Sequence, residues 1–224
     1  MNYISQKGQD QWAIETVFKH QPNGYFVDLA ASDGKHINNT YVLEKQYGWT
    51  GICIEPNPNF FQSLIKNRNC IKVQACVDSK EHEILFRFNN GVAGGIVDDD
   101  TDNNMKIRKT QIQKALASGG AMKMKTKTFA QILKENHAPR VIDFLSMDVE
   151  GSETRIFSTF PFHEFTFLAM CIERPTPELN QLLFQNGYVF VKNSQCDTFY
   201  IHESISNFND IPKEHFEQIP RKNW

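Results

Sequence analysis

Acids close most of the strand-like stretches in this chain: Asp33, Glu55, Asp78, Asp148 with Glu150, and Glu173. A carboxylate can accept hydrogen bonds from hydroxyl and amino groups, remove a proton, or bind a hard cation. One acid at a strand end is ordinary capping. Acids at successive ends of one sheet repel one another unless ligands or cations offset them. The first end lies in Tyr25 to Lys35, YFVDLAASDGK, where Asp28 puts a charge inside an apolar run and Ser32, Asp33 and Gly34 form a turn. An apolar interior penalises such a charge unless it is paired. Glu55 follows Gly34 by 21 residues, in IEPNP (Ile54 to Pro58). An acid at that distance, on the tip of the next strand, is placed to accept hydrogen bonds from ribose hydroxyls. The plain alternative is a buried strand followed by an N-capping acid. The turn lacks the full G-x-G-x-x-G, so it serves a pyrophosphate poorly, and a cofactor with ribose but no phosphate suits it better. After Val77, Asp78 either receives the amino group of a base or caps a turn.

These residues need elements to hold them. Tyr25 to Leu29, Gly51 to Ile54, Ile71 to Val77, Val141 to Met147 and Phe165 to Ile172 read as strands buried on both faces. Helical stretches alternate with them: one containing Trp12, Ala13, Val17 and Phe18, then Ile37 to Tyr47, a third around Phe60 to Ile65, and others opening at Thr128, Ser152 and Thr176. Asn38, Asn39 and Thr40 fall near the start of the second, where polar side chains and free N–H groups suit a carboxylate. Thr128 with Gln131 forms a capping-box signature, and Thr176 with Pro177 marks a clean helix start. Glu83 to Phe88 alternates like a solvent-facing strand, and Met122 to Lys127 like an edge strand. Tyr188 to Val191 and Thr198 to Ile201 form a closing hairpin. The pattern predicts an α/β fold, a doubly wound, mostly parallel sheet with a C-terminal antiparallel hairpin, in a single domain 1–224. Residues 89–120 carry GVAGG, DDDTDNN and a weak helix around Ile107, Ile112 and Leu116, and read as either a substrate-side flap or a disordered insert. The Asp98 to Asp100 run reads as a solvated face.

A net charge of −2 and a pI near 6.4 leave no basic field for nucleic acid or an anionic membrane. The five cysteines show no C-x-x-C spacing, which favours a reducing compartment. No apolar run approaches the roughly 18 residues of a membrane helix, and the polar start is unlike a signal peptide. The expectation is a soluble, cytoplasmic protein whose partner is a small molecule or glycan.

Three motifs carry a family resemblance. SQKGQD at Ser5, YFVDLAASDGKHINNTYVLEKQYGWTGICIEPNP at Tyr25 and, most specifically, DFLSMDVEGSE at Asp143 resemble the FkbM family of S-adenosylmethionine-dependent methyltransferases, in the family's order over roughly Ser5 to Glu173. The resemblance implies a class I methyltransferase fold, S-adenosylmethionine as donor, and methylation of a hydroxyl oxygen, as on sugars and polyketides. Matched residue by residue, Asp28 to Gly34, with Ala30, Ser32 and Asp33, would wrap the methionine part beside Asn39 and Thr40. Glu55, followed by Pro56 and Asn57, would hold the ribose, and Val77 or Asp78 would meet adenine. Gln6 and Gly8 to Asp10 would close over the cofactor. Two departures stand out: Asn38 replaces the usual serine, and Ala30-Ala31 replaces the commoner Gly-Ala, narrowing the space beside the donor.

Asp148 is the first candidate for chemistry, as general base toward the acceptor hydroxyl, although positioning alone can supply much of a rate. Glu150 either shares that role or caps the helix that Ser152 begins. Glu173 is the third candidate. Asp148 and Glu173 could instead hold Mg2+, an arrangement that resembles the metal-dependent catechol-type O-methyltransferases. The class-different alternative is a non-catalytic cofactor-binding module of a larger glycan-processing assembly. A nicotinamide oxidoreductase lacks its glycine fingerprint here, and the motif of amino-group methylation of nucleic acid is absent.

Overall fold

A computed structural model describes residues 2–88 and 91–220, so Met1 and the first two positions of the predicted insert, Asn89 and Asn90, lie outside the described residues. The chain opens with α1 (Gln9–Gln11), continued by a wider π-helical turn, Trp12–Val17. β1 (Tyr25–Leu29), α2 (Tyr41–Tyr47), β2 (Thr50–Ile54), α3 (Pro58–Asn67) and β3 (Ile71–Val73) follow. Then come β4 (Cys76–Val77), β5 (Glu83–Arg87), β6 (Gly95–Ile96), α4 (Met105–Ala117) and β7 (Ala121–Lys127). The chain closes with α5 (Phe129–Glu135), β8 (Val141–Met147), α6 (Glu153–Ser158), β9 (Thr166–Glu173), α7 (Pro177–Gln185), β10 (Tyr188–Ser194) and β11 (Asp197–His202).

The main sheet has seven strands in the order β10-β11-β9-β8-β1-β2-β3. β1, β2, β3, β8 and β9 run parallel, while β11 is antiparallel to both β9 and β10. The chain builds outward from β1 to β3, then returns to the other side of β1 with β8. The order therefore reverses between β1 and β8, and the crevice beyond their carboxyl ends is where such sheets bind ligands.

Side chains alternate across each strand, so both faces carry core. Val27, Leu29, Ile52, Ile54, Leu145 and Met147 pack on one face with Phe129, Phe157 and Phe167. Phe26, Cys53, Phe144 and Cys171 pack on the other with Trp12, Leu43, Trp49 and Leu64. Each fully buried phenylalanine contributes roughly 1.5–3 kcal/mol, enough in sum to position charged groups at the strand ends. Local capping agrees with the sequence: Thr176 Oγ1 accepts from the Leu179 N–H (3.1 Å), and Thr128 Oγ1 from that of Gln131 (3.2 Å).

Three expected elements differ. The stretch Ile71 to Val77 is two strands, not one: β3 stays in the main sheet, while β4 pairs with Thr126 and Lys127 of β7 in a second sheet ordered β4-β7-β5-β6. Both halves are apolar, and apolarity does not reveal which partner a strand takes. For the same reason β7 is interior to its sheet, not an edge. The helix predicted from Ile37 starts only at Tyr41, because Ile37 takes a left-handed φ of 46° and Asn38 folds back toward β1.

Candidate active site

Asp28, near the carboxyl end of β1, is 3 % exposed and partnered on several sides. Its Oδ2 accepts from Asn38 Nδ2 (2.8 Å) and Thr40 Oγ1 (2.7 Å), with Arg68 Nη1 at 4.0 Å. Burial pushes its carboxyl up, and Arg68, Thr40 and Asn38 pull it back. Arg68, at the end of α3, is itself buried against the Phe26 ring and bonds Glu44 (2.6 Å), Asn38 Oδ1 (3.0 Å), Thr40 Oγ1 (3.0 Å) and the Gly34 carbonyl (3.3 Å). Although partial burial opposes it, the Asn69 N–H and Arg68 hold Glu44 down at about 2. Gly34 has φ +74°, and a Cβ there would meet Leu64 Cδ1 at 2.4 Å and Arg68 Cγ at 2.8 Å. The turn glycine is therefore required by its packing on α3. Asp33, Gly34 and Thr40, expected at the cofactor, do not line the cavity: Thr40 and Gly34 face Arg68, and Asp33 Oδ1 accepts from the Lys35 and His36 N–H groups (2.9 and 2.8 Å).

In front of the turn a cavity of about 300 Å³ runs across the carboxyl ends of the main sheet. Its first half is lined by Asp28, Ala30, Ser32, Asn39, Glu55, Pro56, Asn57 and Val77, with Phe60, Phe86 and Ile96 as apolar walls. Ala30 and Ser32 hold left-handed φ values of 73° and 53°, costly for residues with a Cβ and concentrated at binding sites in folded proteins. Glu55 is 5 % exposed, and its two oxygens accept from the Ser32 and Asn57 N–H groups, both at 2.8 Å. Burial pushes it up to about 7 against those two bonds. Each oxygen keeps capacity for a further donor.

Asp78 does not line this cavity. It is fully buried and taken by Arg155 Nη2 (2.6 Å) and Nε (3.2 Å) and by His82 Nε2 (2.8 Å). The predicted adenine contact is thereby left to Val77 alone. Arg155 also binds Asp98 (2.8 Å) and Asp100 (2.9 Å), so that acidic run is a tether and not simply a solvated face.

The second half is acidic. Asp148, Glu150 and Glu173 each bring one oxygen to within 4.8 Å of the others. Asp148 opens into the cavity and solvent reaches it. The surrounding protein, and next the Glu173 carboxylate, nonetheless push its carboxyl well above the ordinary range. Glu150 is pushed up to about 8 by burial and then by Glu173, with Arg174 opposing. Glu150 is not the helix cap. The N-cap position of α6 is Ser152, without a side-chain cap bond, and Glu153 instead ties back the loop before the helix, accepting from the Val149 (3.0 Å) and Gly151 (3.4 Å) N–H groups. Arg174 Nη2 reaches Glu173 (2.7 Å), Glu150 (3.3 Å) and Asp102 (2.7 Å). The segment after β6 closes this end: the Asp102 N–H bonds the Glu150 carbonyl (3.0 Å), and a Cβ on Gly95 would stand 3.2 Å from Glu150 Cβ.

Gln6 and Gln9 line the cavity from the N-terminal side. Asp10 shapes that segment, accepting from the Ile4 (2.8 Å) and Ser5 (3.1 Å) N–H groups. Gln9 Nε2 donates to Asp197 Oδ2 (2.5 Å), and burial followed by Glu173 pushes Asp197 up to about 6. Sequence reasoning missed Asp197, Arg68, Arg155, Arg174 and Ser146, whose hydroxyl accepts from Asn39 Nδ2 (2.9 Å). Only Asp197 carried a usable signal, as an acid immediately before the closing strand expected from Thr198.

A model of the Methyltransferase FkbM domain matches residues 28–190. Among solved structures, the chain is similar to a precorrin-6y C5,15-methyltransferase from Geobacter metallireducens GS-15, with 10 % identity and a TM-score of 0.45 over 86 % of this chain and 85 % of that one. It is similar to TrmK of M. capricolum, solved with S-adenosyl-homocysteine, at 8 % identity and a TM-score of 0.46 over 96 % and 73 %. A methyltransferase FkbM from Methylobacillus flagellatus KT shares 12 % identity at a TM-score of 0.46, over 86 % of this chain and 50 % of that one. No curated protein matches the chain. Among the described residues no helix is long and apolar enough to cross a membrane.

Proposed function

Because this chain belongs to the FkbM methyltransferase family, we propose that it is an S-adenosylmethionine-dependent O-methyltransferase acting on a hydroxyl of a small polar acceptor, a sugar or glycan. The observation that carries this reading is one continuous cavity joining Glu55 and the glycine turn to Asp148 and Glu173. The residues present fit the donor. Glu55 keeps free acceptor capacity for ribose hydroxyls, and Asn39 Oδ1, on the cavity wall, is buried without a partner. Val77, Phe60, Phe86 and Ile96 offer apolar surface to adenine, and Gln6 faces the donor from the N-terminal segment. When bound, S-adenosylmethionine supplies an electrophilic methyl group, which the acceptor oxygen takes while sulfur keeps the electrons of the broken bond. Asp148 orients the acceptor hydroxyl and receives its proton; its raised proton affinity makes it the stronger base. Glu150 stands beside Asp148 at the same end of the cavity and offers the acceptor a further oxygen.

No lysine or arginine lines the cavity among the described residues, which argues against a nucleic-acid acceptor. A cytoplasmic location fits five cysteines that are all free thiols. A second reading has Mg2+ held by Asp148, Glu150 and Glu173, favoured by their mutual approach within 4.8 Å. Calorimetric titration with S-adenosylmethionine and S-adenosylhomocysteine, with and without magnesium, tests both. Micromolar binding that weakens about tenfold in Glu55→Gln supports the donor site. A gain of affinity only with magnesium supports the metal, and binding of neither compound removes the methyltransferase reading.

A further inference from the structure

The acceptor half of the cavity has an unbalanced charge. Asp28, Glu55, Asp148, Glu150, Glu173 and Asp197 line the cavity, with no lysine or arginine among the described lining residues. Two of the six are settled locally, Asp28 by the Arg68 network and Glu55 by two N–H groups. The other four gather around the acceptor end. Asp148, Glu150 and Glu173 approach within 4.8 Å, and Asp197 stands opposite Glu173 in the β9–β11 register. The cations that face them are Arg174, outside the cavity lining and shared with Asp102, and Lys7, whose charge acts on Asp197. Glu153 and Asp102 add further negative charge behind Glu150. A bound donor would bring a net single positive charge, which leaves the acids in excess. A separate observation points to a ligand here. Ser152, 1 % exposed, lines the same cavity, and its hydroxyl has no hydrogen-bond partner.

We propose that this end of the cavity is an ammonium subsite, so that the molecule methylated is a hydroxylated amine of the amino-sugar type. The inference rests on the methyltransferase reading above and names its acceptor class. An ammonium presents three donors and no acceptor, the complement of a wall built of carboxylates and a serine oxygen. A phosphorylated or carboxylated acceptor would meet like charge from four directions. Held as a cation, the nitrogen has no free electron pair, so the neighbouring hydroxyl is the atom methylated.

The test uses protein saturated with S-adenosylhomocysteine and matched probes: glucosamine, galactosamine and ethanolamine, each against its N-acetyl form, with glucose 6-phosphate as the anion. At least one amine is expected to bind about tenfold more tightly than its acetylated partner, with no binding of the phosphate. Glu173→Gln and Asp197→Asn should each shrink that preference to below about threefold, with S-adenosylhomocysteine affinity kept within about twofold. Equal binding of amine and acetylated forms, binding of the phosphate, or no binding of any amine overturns the proposal. Magnesium chloride that binds the acids while no amine does overturns it in favour of the metal. Loss of S-adenosylhomocysteine binding itself identifies failure of the underlying reading. If a variant does not fold, the wild-type comparison of amine and acetylated probes still decides.

Discussion

In the proposed reaction, Asp148 is the residue on which the chemistry turns. Asp148→Asn removes the proton acceptor but keeps shape and hydrogen bonding, so turnover should fall about 10²–10⁴-fold with donor affinity largely kept. Single-turnover methyl transfer alongside calorimetry checks this, and unchanged turnover would show that positioning alone carries the rate. Beneath the glycine turn, Arg68→Met leaves Asp28 buried without its cation. Removing one partner of such a buried pair costs about 3–5 kcal/mol, so the variant should show a large drop in chemical-denaturation midpoint. Glu55, Asp148 and Glu173 were legible in the sequence because each closes an apolar run, and apolar runs in a parallel sheet reveal where strands end. Arg68 was not, since nothing local distinguishes a helix-terminal arginine in solvent from one threaded beneath a turn. Asp197 and its partner Gln9 lie 188 residues apart and meet only through the strand order.

At the scale of elements, Arg155 joins α6 to the end of β4 and to the segment after β6. Its contacts with Asp98 and Asp100, both more than half exposed, are each worth only about 0–1 kcal/mol. Its contact with fully buried Asp78 is the larger contribution, because that carboxylate would keep only His82 and the Ser79 N–H. Arg155→Ala should therefore lower the melting temperature and also expose residues 98–103 to faster proteolytic cleavage. Cleavage unchanged alongside reduced stability would mean that the segment is held mainly by Thr101 Oγ1 on the Ile96 carbonyl (2.6 Å) and by Arg174. The sequence signalled the helix starts well, as at Thr176 and Thr128, because a cap is a bond within four residues. It misplaced Cys76–Val77, because pairing with β7 joins residues 50 apart and leaves no local trace.

For the molecule as a whole, pH sets stability through the raised acids. Glu150 titrates at about 8, Glu153 and Glu55 at about 7, and Asp197 at about 6, all above the values of an unfolded chain. The native state then binds more protons than the unfolded state between about pH 4 and 8, so stability falls as pH rises through that window. Melting temperatures should be higher at pH 5.5 than at pH 8.5. A rise toward pH 8.5 would mean that these acids are ionised in the native protein. If Asp148 is the base proposed above, turnover should move the opposite way, since it must lose its proton to act, and the most active pH should differ from the most stable one.

The second sheet has a further consequence. All of its strands come from one uninterrupted stretch, from Cys76 to Lys127, and its first and last strands lie side by side, Cys76 opposite Thr126 and Val77 opposite Lys127. The stretch leaves the main scaffold and returns to it at nearly the same point, carrying Phe86, Gly95 and Ile96 to the cavity wall. It is a removable cassette in the sense of chain connectivity. Exchanging it with the corresponding stretch of a relative should transplant that wall of the pocket, leaving the Asp28–Arg68 cradle and the Glu55 strand as they are.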